Sequence, residues 1–374
     1  MANEKVLKVL VIDDSAYNRR ALGEMLDGIA GVEVVGKAQD GEEGLRLAHT
    51  LQPDLITLDL EMPRMDGFTF LRIQMSRQRI PVFVVSAHAS RENIFRALEL
   101  GAVDFVAKPT RRISPQIMEI RDELARKVEM ARNLKPSSLP PPQPWSRESL
   151  RPSPTEGVKT PERVPMDWAD GEEPAARVVV IAASTGGPAA LSRLVAALPQ
   201  DFDAGVVVAQ HMPPRFTTTF AERLDRLGPL TVMEATGVSS LRRGLVLVAP
   251  GDRCVELARG GEGFIVREVE PSIHDRYVPS ADRLFRSAAA AAGRNVLAVV
   301  LTGMGDDGAE GAMFVAGAGG RVVVESEETA VIAGMPSATV RTGVVEQVEP
   351  IHRLAGLISE FGRPQPPSLG DGPA

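Results

Sequence analysis

Short runs of aliphatic residues alternate along this chain with segments whose apolar positions recur at helical spacing, and the alternation occurs twice. In the first half the pattern predicts strands at 6–12, 32–38, 55–58, 82–86 and 103–107. Helices are expected between them at 19–26, 41–50, 68–75 and 91–99, with a last helix near 116–133. Continuous apolar strands separated by helices imply a parallel sheet covered on both faces. The first half therefore reads as a five-stranded, doubly wound α/β domain of flavodoxin-like order. In the second half strands are expected at 178–183, 204–210, 231–234, 245–249, 264–268, 296–302, 320–325 and 343–348. The helices expected there are 189–197, 217–227, 280–292, 308–316 and 351–361. Leu191, Leu194, Val195 and Leu198 recur at helical spacing, so the first of these lays one face on the sheet. A hairpin-like stretch at 245–267 suggests an antiparallel addition to a second, mostly parallel Rossmann-like sheet.

Between the halves the pattern stops. Prolines and serines crowd the segment from Lys135 to Glu173 and aliphatic residues thin out, the composition of a semi-extended linker. Both tryptophans, Trp145 and Trp168, fall inside it and are either incidental or dock on a domain surface. The expected organisation is a first domain over 1–132, a linker over 133–176, a second domain over 177–362 and a disordered tail over 363–374.

Composition narrows the partners. At 374 residues and 40.1 kDa the chain exceeds one ordinary core, and a 44% hydrophobic content fills two. A net charge of −7 without a dominant Lys/Arg cluster argues against a nucleic-acid binder held by phosphate contacts. The single cysteine, Cys254, has no internal partner, and the first residues lack a secretion signal, so a cytoplasmic location is expected. Residues 288–304, the most apolar stretch of the second half, are interrupted by Arg294 and Asn295. They fall short of the roughly 18 apolar residues a membrane span needs, so no membrane insertion is expected.

The chemistry collects at strand ends. Asp13 and Asp14 end the first strand, Asp59 the third and Ser86 the fourth, while Lys108 follows the fifth. In a parallel sheet such residues converge in the crevice where ligands bind. A carboxylate attacking an anionic phosphate needs cations to neutralise the developing charge. Asp14, Asp59 and the Glu61 carbonyl can hold Mg²⁺, and the Lys108 ammonium can pair with a phosphoryl oxygen. Singly each is weak evidence, because an aspartate after a strand is commonly a helix cap. Together, Asp-Asp, Asp-x-x-Met-Pro-x-x-Asp-Gly, Ser-Ala and Lys-Pro in this order resemble the receiver domain of bacterial two-component response regulators from about Lys5 to Arg132. The resemblance implies Asp59 as phosphoacceptor, Asp13 and Asp14 as metal-site acids, Ser86 as the hydroxyl that senses the phosphoryl group, Phe105 as a switching aromatic and Lys108 as the pattern's lysine.

In the second half a buried strand delivers Ser184 onto Thr185-Gly186-Gly187-Pro188. The glycines permit a tight turn, Pro188 starts a helix, and the unsatisfied N–H groups at that helix end face whatever occupies the turn. Such a turn suits an oxyanion beside a nucleophile or a bound phosphate, although its spacing matches neither common phosphate-loop pattern. A serine nucleophile needs a base. His211 follows the next strand and is better placed than His274 or His352. Asp306 and Asp307, after the strand at 296–302, are the candidate orienting carboxylates. Backbone N–H groups at Thr185 and near Met304 are candidate oxyanion donors.

The segments Ala-Ser184-Thr-Gly-Gly-Pro, Gln210-His211-Met-Pro, Pro279-Ser-Ala-Asp-Arg-Leu-Phe285, Leu301-Thr-Gly-Met-Gly-Asp-Asp-Gly308 and Gly334-Met-Pro336 resemble the protein-glutamate methylesterase domain of bacterial chemotaxis, the CheB family. Coverage runs from about Arg177 to Phe361, and a receiver ahead of this domain is that family's arrangement. The resemblance implies Ser184 as nucleophile, His211 as general base and acid, and Asp307 as the orienting carboxylate, with Asp306 less favoured. It implies hydrolysis of glutamate methyl esters on methyl-accepting chemoreceptors, deamidation of selected receptor glutamines, and a histidine kinase as phosphodonor. No cofactor is expected for ester hydrolysis and Mg²⁺ is expected at the receiver, whose unphosphorylated form would cover the Ser184 cleft. One departure is Arg253-Cys254-Val255, where the family often carries His-Met; Cys254 reads as a small buried apolar residue rather than a second nucleophile. Two rivals stay open: a non-catalytic scaffold that binds receptor or kinase, and a receiver-controlled hydrolase serving an output other than motility.

Overall fold

The computed structural model describes residues 6–86, 91–107, 121, 124–129, 131–132, 134, 173–261 and 263–363. Lys108, most of the helix expected at 116–133, nearly all of the linker with Trp145 and Trp168, and residues 364–374 lie outside the described residues. The chain divides into two compact units, 1–152 and 153–374.

In the first unit five parallel strands form a sheet in the order β2-β1-β3-β4-β5: β1 (Leu7–Ile12), β2 (Val32–Ala38), β3 (Leu55–Leu58), β4 (Val82–Ser86) and β5 (Asp104–Ala107). Helices α1 (Ala16–Asp27), α2 (Gly41–Leu51), α3 (Gly67–Arg77) and α4 (Arg91–Glu99) connect them, and α5 is described over 124–129. Strands buried on both faces explain the uninterrupted apolar runs: Val9, Leu10, Val11, Ile56 and Val84 are all fully buried. Caps set the helix starts, with Ser15, Asp40 and Asp66 accepting backbone N–H groups of the first turns of α1, α2 and α3.

The second unit is built on seven strands, all parallel, in the order β15-β14-β13-β6-β7-β10-β8. These are β6 (Val178–Ala183), β7 (Gly205–Gln210), β8 (Thr231–Glu234), β10 (Leu245–Val248), β13 (Val296–Val300), β14 (Arg321–Glu325) and β15 (Gln347–Glu349). A separate antiparallel sheet holds β9 (Val238–Leu241), β11 (Cys254–Arg259) and β12 (Phe264–Val269), with β12 in the middle. Residues 245–248 therefore belong to the parallel sheet, and the antiparallel hairpin is β11–β12 with β9 added at its edge. The helices are α6 (Gly187–Ala197), α7 (Pro214–Asp225), α8 (Ala281–Ala292), α9 (Ala309–Gly317), α10 (Gly334–Arg341) and α11 (Ile351–Phe361).

Strand order dictates where a ligand goes. From β6 the chain proceeds to β7 on one side, and later to β13 and β14 on the other, so the order reverses between β6 and β13. The carboxyl ends of strands at such a reversal open a crevice. No helix among the described residues is long and apolar enough to cross a membrane.

Candidate active site and receiver site

Register brings the second unit's candidate residues together. Ala183 of β6 pairs with Gln210 of β7, so Ser184 and His211 leave two adjacent strands side by side. Neighbouring strands are about 4.8 Å apart, which makes the two residues neighbours although 27 positions separate them. The His211 N–H donates to the Ala183 carbonyl at 3.0 Å. Behind them the buried Gln210 amide donates to the carbonyls of Ser184 at 2.9 Å and His211 at 3.0 Å. This one side chain ties both strand ends.

Asp307 approaches from beyond β13. Its Oδ2 lies 2.8 Å from His211 Nε2, and it is buried, with 1% of its surface exposed. Because an ionised carboxylate only accepts, Nε2 carries the proton and Nδ1 is left as the basic nitrogen. Two backbone donors complete the Asp307 shell: Ala281 N–H to Oδ2 at 2.8 Å and Asp282 N–H to Oδ1 at 2.9 Å. Asp306 turns elsewhere, accepting from the Tyr277 hydroxyl at 3.0 Å and from Arg276 at 3.2 Å. Tyr277 in turn stacks on the His211 ring, with centroids 5.1 Å apart and planes 5° from parallel. Glycines with positive φ at 305 and 308 bracket the two aspartates, and a side chain at Gly305 would collide with the Tyr277 hydroxyl.

The Ser184 turn is held from the β13 side. Ser184 N–H donates to the Thr302 carbonyl at 3.0 Å, and the Thr302 hydroxyl donates to the Thr185 carbonyl at 2.9 Å. Thr302 N–H donates to Glu325 at 2.8 Å; burial raises the pKa of that carboxyl, opposed by the Thr302 and Thr329 hydrogen bonds and the charge of Arg193. In the loop after Thr302, Gly303 lies against Ser184, and the N–H of the next residue, Met304, meets no acceptor among the described residues. Ser184 itself is half-buried, and its hydroxyl makes no hydrogen bond among the described residues.

Gly186 adopts φ +79°, and a Cβ there would sit 2.8 Å from Val331 Cβ and 3.0 Å from Thr302 Oγ1. Gly186→Ala should therefore lower stability by about 1–3 kcal/mol, read as a fall in unfolding temperature, because both backbone and space forbid the methyl.

His274 and His352 are exposed and join neither group. Cys254 is fully buried as the first residue of β11, where burial pushes its thiol pKa up, as expected of an inert apolar-like cysteine. Sequence reading missed Tyr277, Gln210 as a strand tie, and Asp282. Asp282 lies inside the Pro279–Phe285 motif, where a carboxylate two residues after a capping serine was the available signal.

In the first unit the carboxylates of Asp13, Asp14 and Asp59 each place an oxygen within 4.8 Å of the others, two of them buried and Asp14 exposed. Three acidic oxygen donors that close repel one another unless a cation joins them, and hard oxygen ligands suit Mg²⁺. Asp59 follows β3, and the Glu61 N–H donates to its Oδ1 at 3.3 Å. Gly67 closes the loop against it, since a Cβ there would lie 2.4 Å from the Asp59 carbonyl oxygen. Phe105 is buried on β5 with the Lys127 ammonium 5.2 Å from its ring centre. Ser86 ends β4 with its backbone paired to Ala107; Lys108, the next residue of that expected set, lies outside the described residues.

Comparison with known proteins agrees over both units. A family model described as CheB methylesterase matches residues 179–358, and one described as response regulator receiver domain matches residues 9–117. The chain is 48% identical over 369 residues to protein-glutamate methylesterase/protein-glutamine glutaminase 3 of Geobacter sulfurreducens, covering 95% of this chain and 99% of that one. With protein-glutamate methylesterase/protein-glutamine glutaminase 6 of Anaeromyxobacter dehalogenans it shares 45% over 363 residues, 96% of this chain and 97% of the other. Among solved structures, the Thermotoga maritima CheB methylesterase catalytic domain is 37% identical, covering 50% of this chain and 98% of its own, with a TM-score of 0.48.

Proposed function

This chain belongs to the CheB methylesterase family, with a response regulator receiver domain ahead of its esterase domain, and we propose that it hydrolyses glutamate methyl esters on chemoreceptors under control of phosphorylation at Asp59. The observation that carries the proposal is the hydrogen bond between His211, at the end of β7, and the buried Asp307, beside Ser184 on the neighbouring strand.

In this reading Ser184 Oγ attacks the ester carbonyl carbon while its proton passes to His211 Nδ1. Asp307 holds the ring by Nε2–H and stabilises the imidazolium. Charge develops on the former carbonyl oxygen, for which the backbone N–H groups of Thr185 and Met304 are the donors. The carbon–oxygen bond to methoxide breaks, His211 returns the proton, and methanol leaves. Water, deprotonated by the same imidazole, then cleaves the acyl-serine to glutamate and free Ser184. With glutamine in place of the ester the leaving group is ammonia, which gives the deamidation. The base uses Nδ1 where the familiar serine protease uses Nε2, so the ring is turned over relative to that template.

At the receiver, Asp59 is the acceptor of the phosphoryl group, supplied by a histidine kinase. Asp13, Asp14, Asp59 and the Glu61 carbonyl would hold Mg²⁺, which when bound neutralises charge on the phosphoryl oxygens. Ser86, Phe105 and Lys108 are the residues that would register phosphorylation, which adds roughly two negative charges at this strand end.

The test is methanol release from methylated chemoreceptor-bearing membranes, with and without a small acyl phosphate. Wild type should release methanol, the acyl phosphate should raise the rate, and Asp59→Asn should abolish that response. Absence of methanol under both conditions would leave a binding scaffold as the better reading.

A further inference from the structure

We propose that Asp282 is a positioning residue for the hydrolytic centre, clamping the start of α9 with its carboxylate while its backbone N–H fixes Asp307. The proposal rests on the esterase reading above.

Helix α9 is preceded at its cap position by Gly308, which has no side chain to cap the exposed N–H groups of the first turn. Asp282 of α8 supplies the missing cap from outside: its Oδ1 accepts the N–H of Gly308 at 2.9 Å and of Gly311 at 2.7 Å. Asp307, just before α9, returns the service by accepting the N–H groups of Ala281 and Asp282 at the start of α8. Two aspartates thus cap each other's helices, and Ser280 completes the α8 end through Arg283 N–H at 3.2 Å. Space enforces the arrangement, since a Cβ at Gly311 would lie 2.6 Å from Phe285 Cβ and 2.9 Å from Asp282 Cα. Displacing Asp282 must move Asp307, and with it the His211 ring.

The same contacts couple charge. Burial, followed by the charges of Asp307 and Glu310, pushes the Asp282 pKa up to about 6, while the Gly311 and Gly308 N–H groups pull it down. Other charged groups nearby are engaged elsewhere. Glu310 pairs with Arg286, Arg283 with Glu256 and Asp275, and Asp306 with Arg276 and Tyr277. His211 is tied to Asp282 through Asp307, which accepts from both. Ionised Asp282 deepens the negative potential behind Asp307 and so favours the imidazolium formed during attack. When pH falls through about 6 that charge is lost.

The experiment measures kcat and KM for methanol release by the full-length protein across pH, with Asp282→Asn and Asp282→Ala. Asparagine keeps an oxygen to accept both N–H groups but has no charge to lose, so its acid limb should be shallower and displaced to lower pH. Alanine should cost about 10- to 100-fold in kcat with KM within about twofold, the signature of misplaced catalytic groups. An Asp282→Asn acid limb superimposable on wild type, or an Asp282→Ala variant with wild-type kcat, overturns the proposal; if the alanine variant does not fold, the asparagine profile decides. Inactive wild type would sink the esterase reading instead, and unfolding then tests Asp282 directly. A raised carboxyl pKa means that wild-type stability relative to Asp282→Asn falls as pH rises from about 4 to about 6. A flat difference over that range overturns the proposal as well.

Discussion

Ser184→Ala should lower methanol release by about 10⁴- to 10⁶-fold, the largest single effect expected in this protein. Removing the nucleophile of a serine–histidine–aspartate centre costs about as much as removing the whole set, and what survives comes from binding and oxyanion stabilisation. Stability should hardly move. Ser184 is half-buried, its hydroxyl has no hydrogen-bond partner among the described residues, and its backbone contacts to Thr302 and Gln210 are indifferent to the side chain. A change within about 0.5 kcal/mol is the ordinary outcome for such a deletion. Methanol release and thermal unfolding of the same preparation therefore separate the roles. An alanine variant that turns over ester at a rate near wild type would remove Ser184 from the chemistry.

Asp307→Asn should cost about 10⁴-fold in kcat, because an amide nitrogen facing the ring favours the tautomer with the proton on Nδ1, where it cannot serve as base. Here the variant should also be less stable, in contrast to Ser184→Ala. The Asp307 carboxylate accepts three N–H groups, from His211, Ala281 and Asp282, in a site only 1% exposed. An amide accepts through one oxygen alone, so at least one donor is left buried without a partner, at about 1–3 kcal/mol. In a domain of this size each kcal/mol lowers the unfolding temperature by about 2–4 °C. Assays kept well below that temperature isolate the catalytic loss; activity of Asp307→Asn within about tenfold of wild type would show that the carboxylate does not orient the base.

Much of the fold was legible because strands buried on both faces leave uninterrupted runs rich in Val, Ile and Leu. The residues just past those runs could be located without coordinates, and so Asp13, Asp59, Ser184 and His211 stood out. Weaker elements did not. β9 is Val-Ser-Ser-Leu with one buried residue, too polar to signal a strand, and it forms because β12 offers an edge. α10 opens with Gly-Met-Pro, which reads as a breaker, although proline is tolerated in a first turn where its missing N–H has no partner to lose. The strand expected from Gly343 is confined to Gln347–Glu349, because Gly343 instead ends α10 with φ +77°.

By itself the amino-acid sequence determined that there are two α/β units, which strand ends carry acids, hydroxyls and an imidazole, and that both halves resemble known modules. Those properties are local, set by hydrophobic period and by residue type at a turn. Only the tertiary structure decided which ring nitrogen of His211 Asp307 holds, and that Asp282 and Tyr277 stand behind them. Each depends on the register of β6, β7 and β13 and on how closely α8 and α9 pack, so the deciding contacts join residues 25 or more positions apart, such as Asp307 with Asp282 and His211. Long-range contacts of that kind leave no periodicity in the chain, because they are selected by the packing of whole elements.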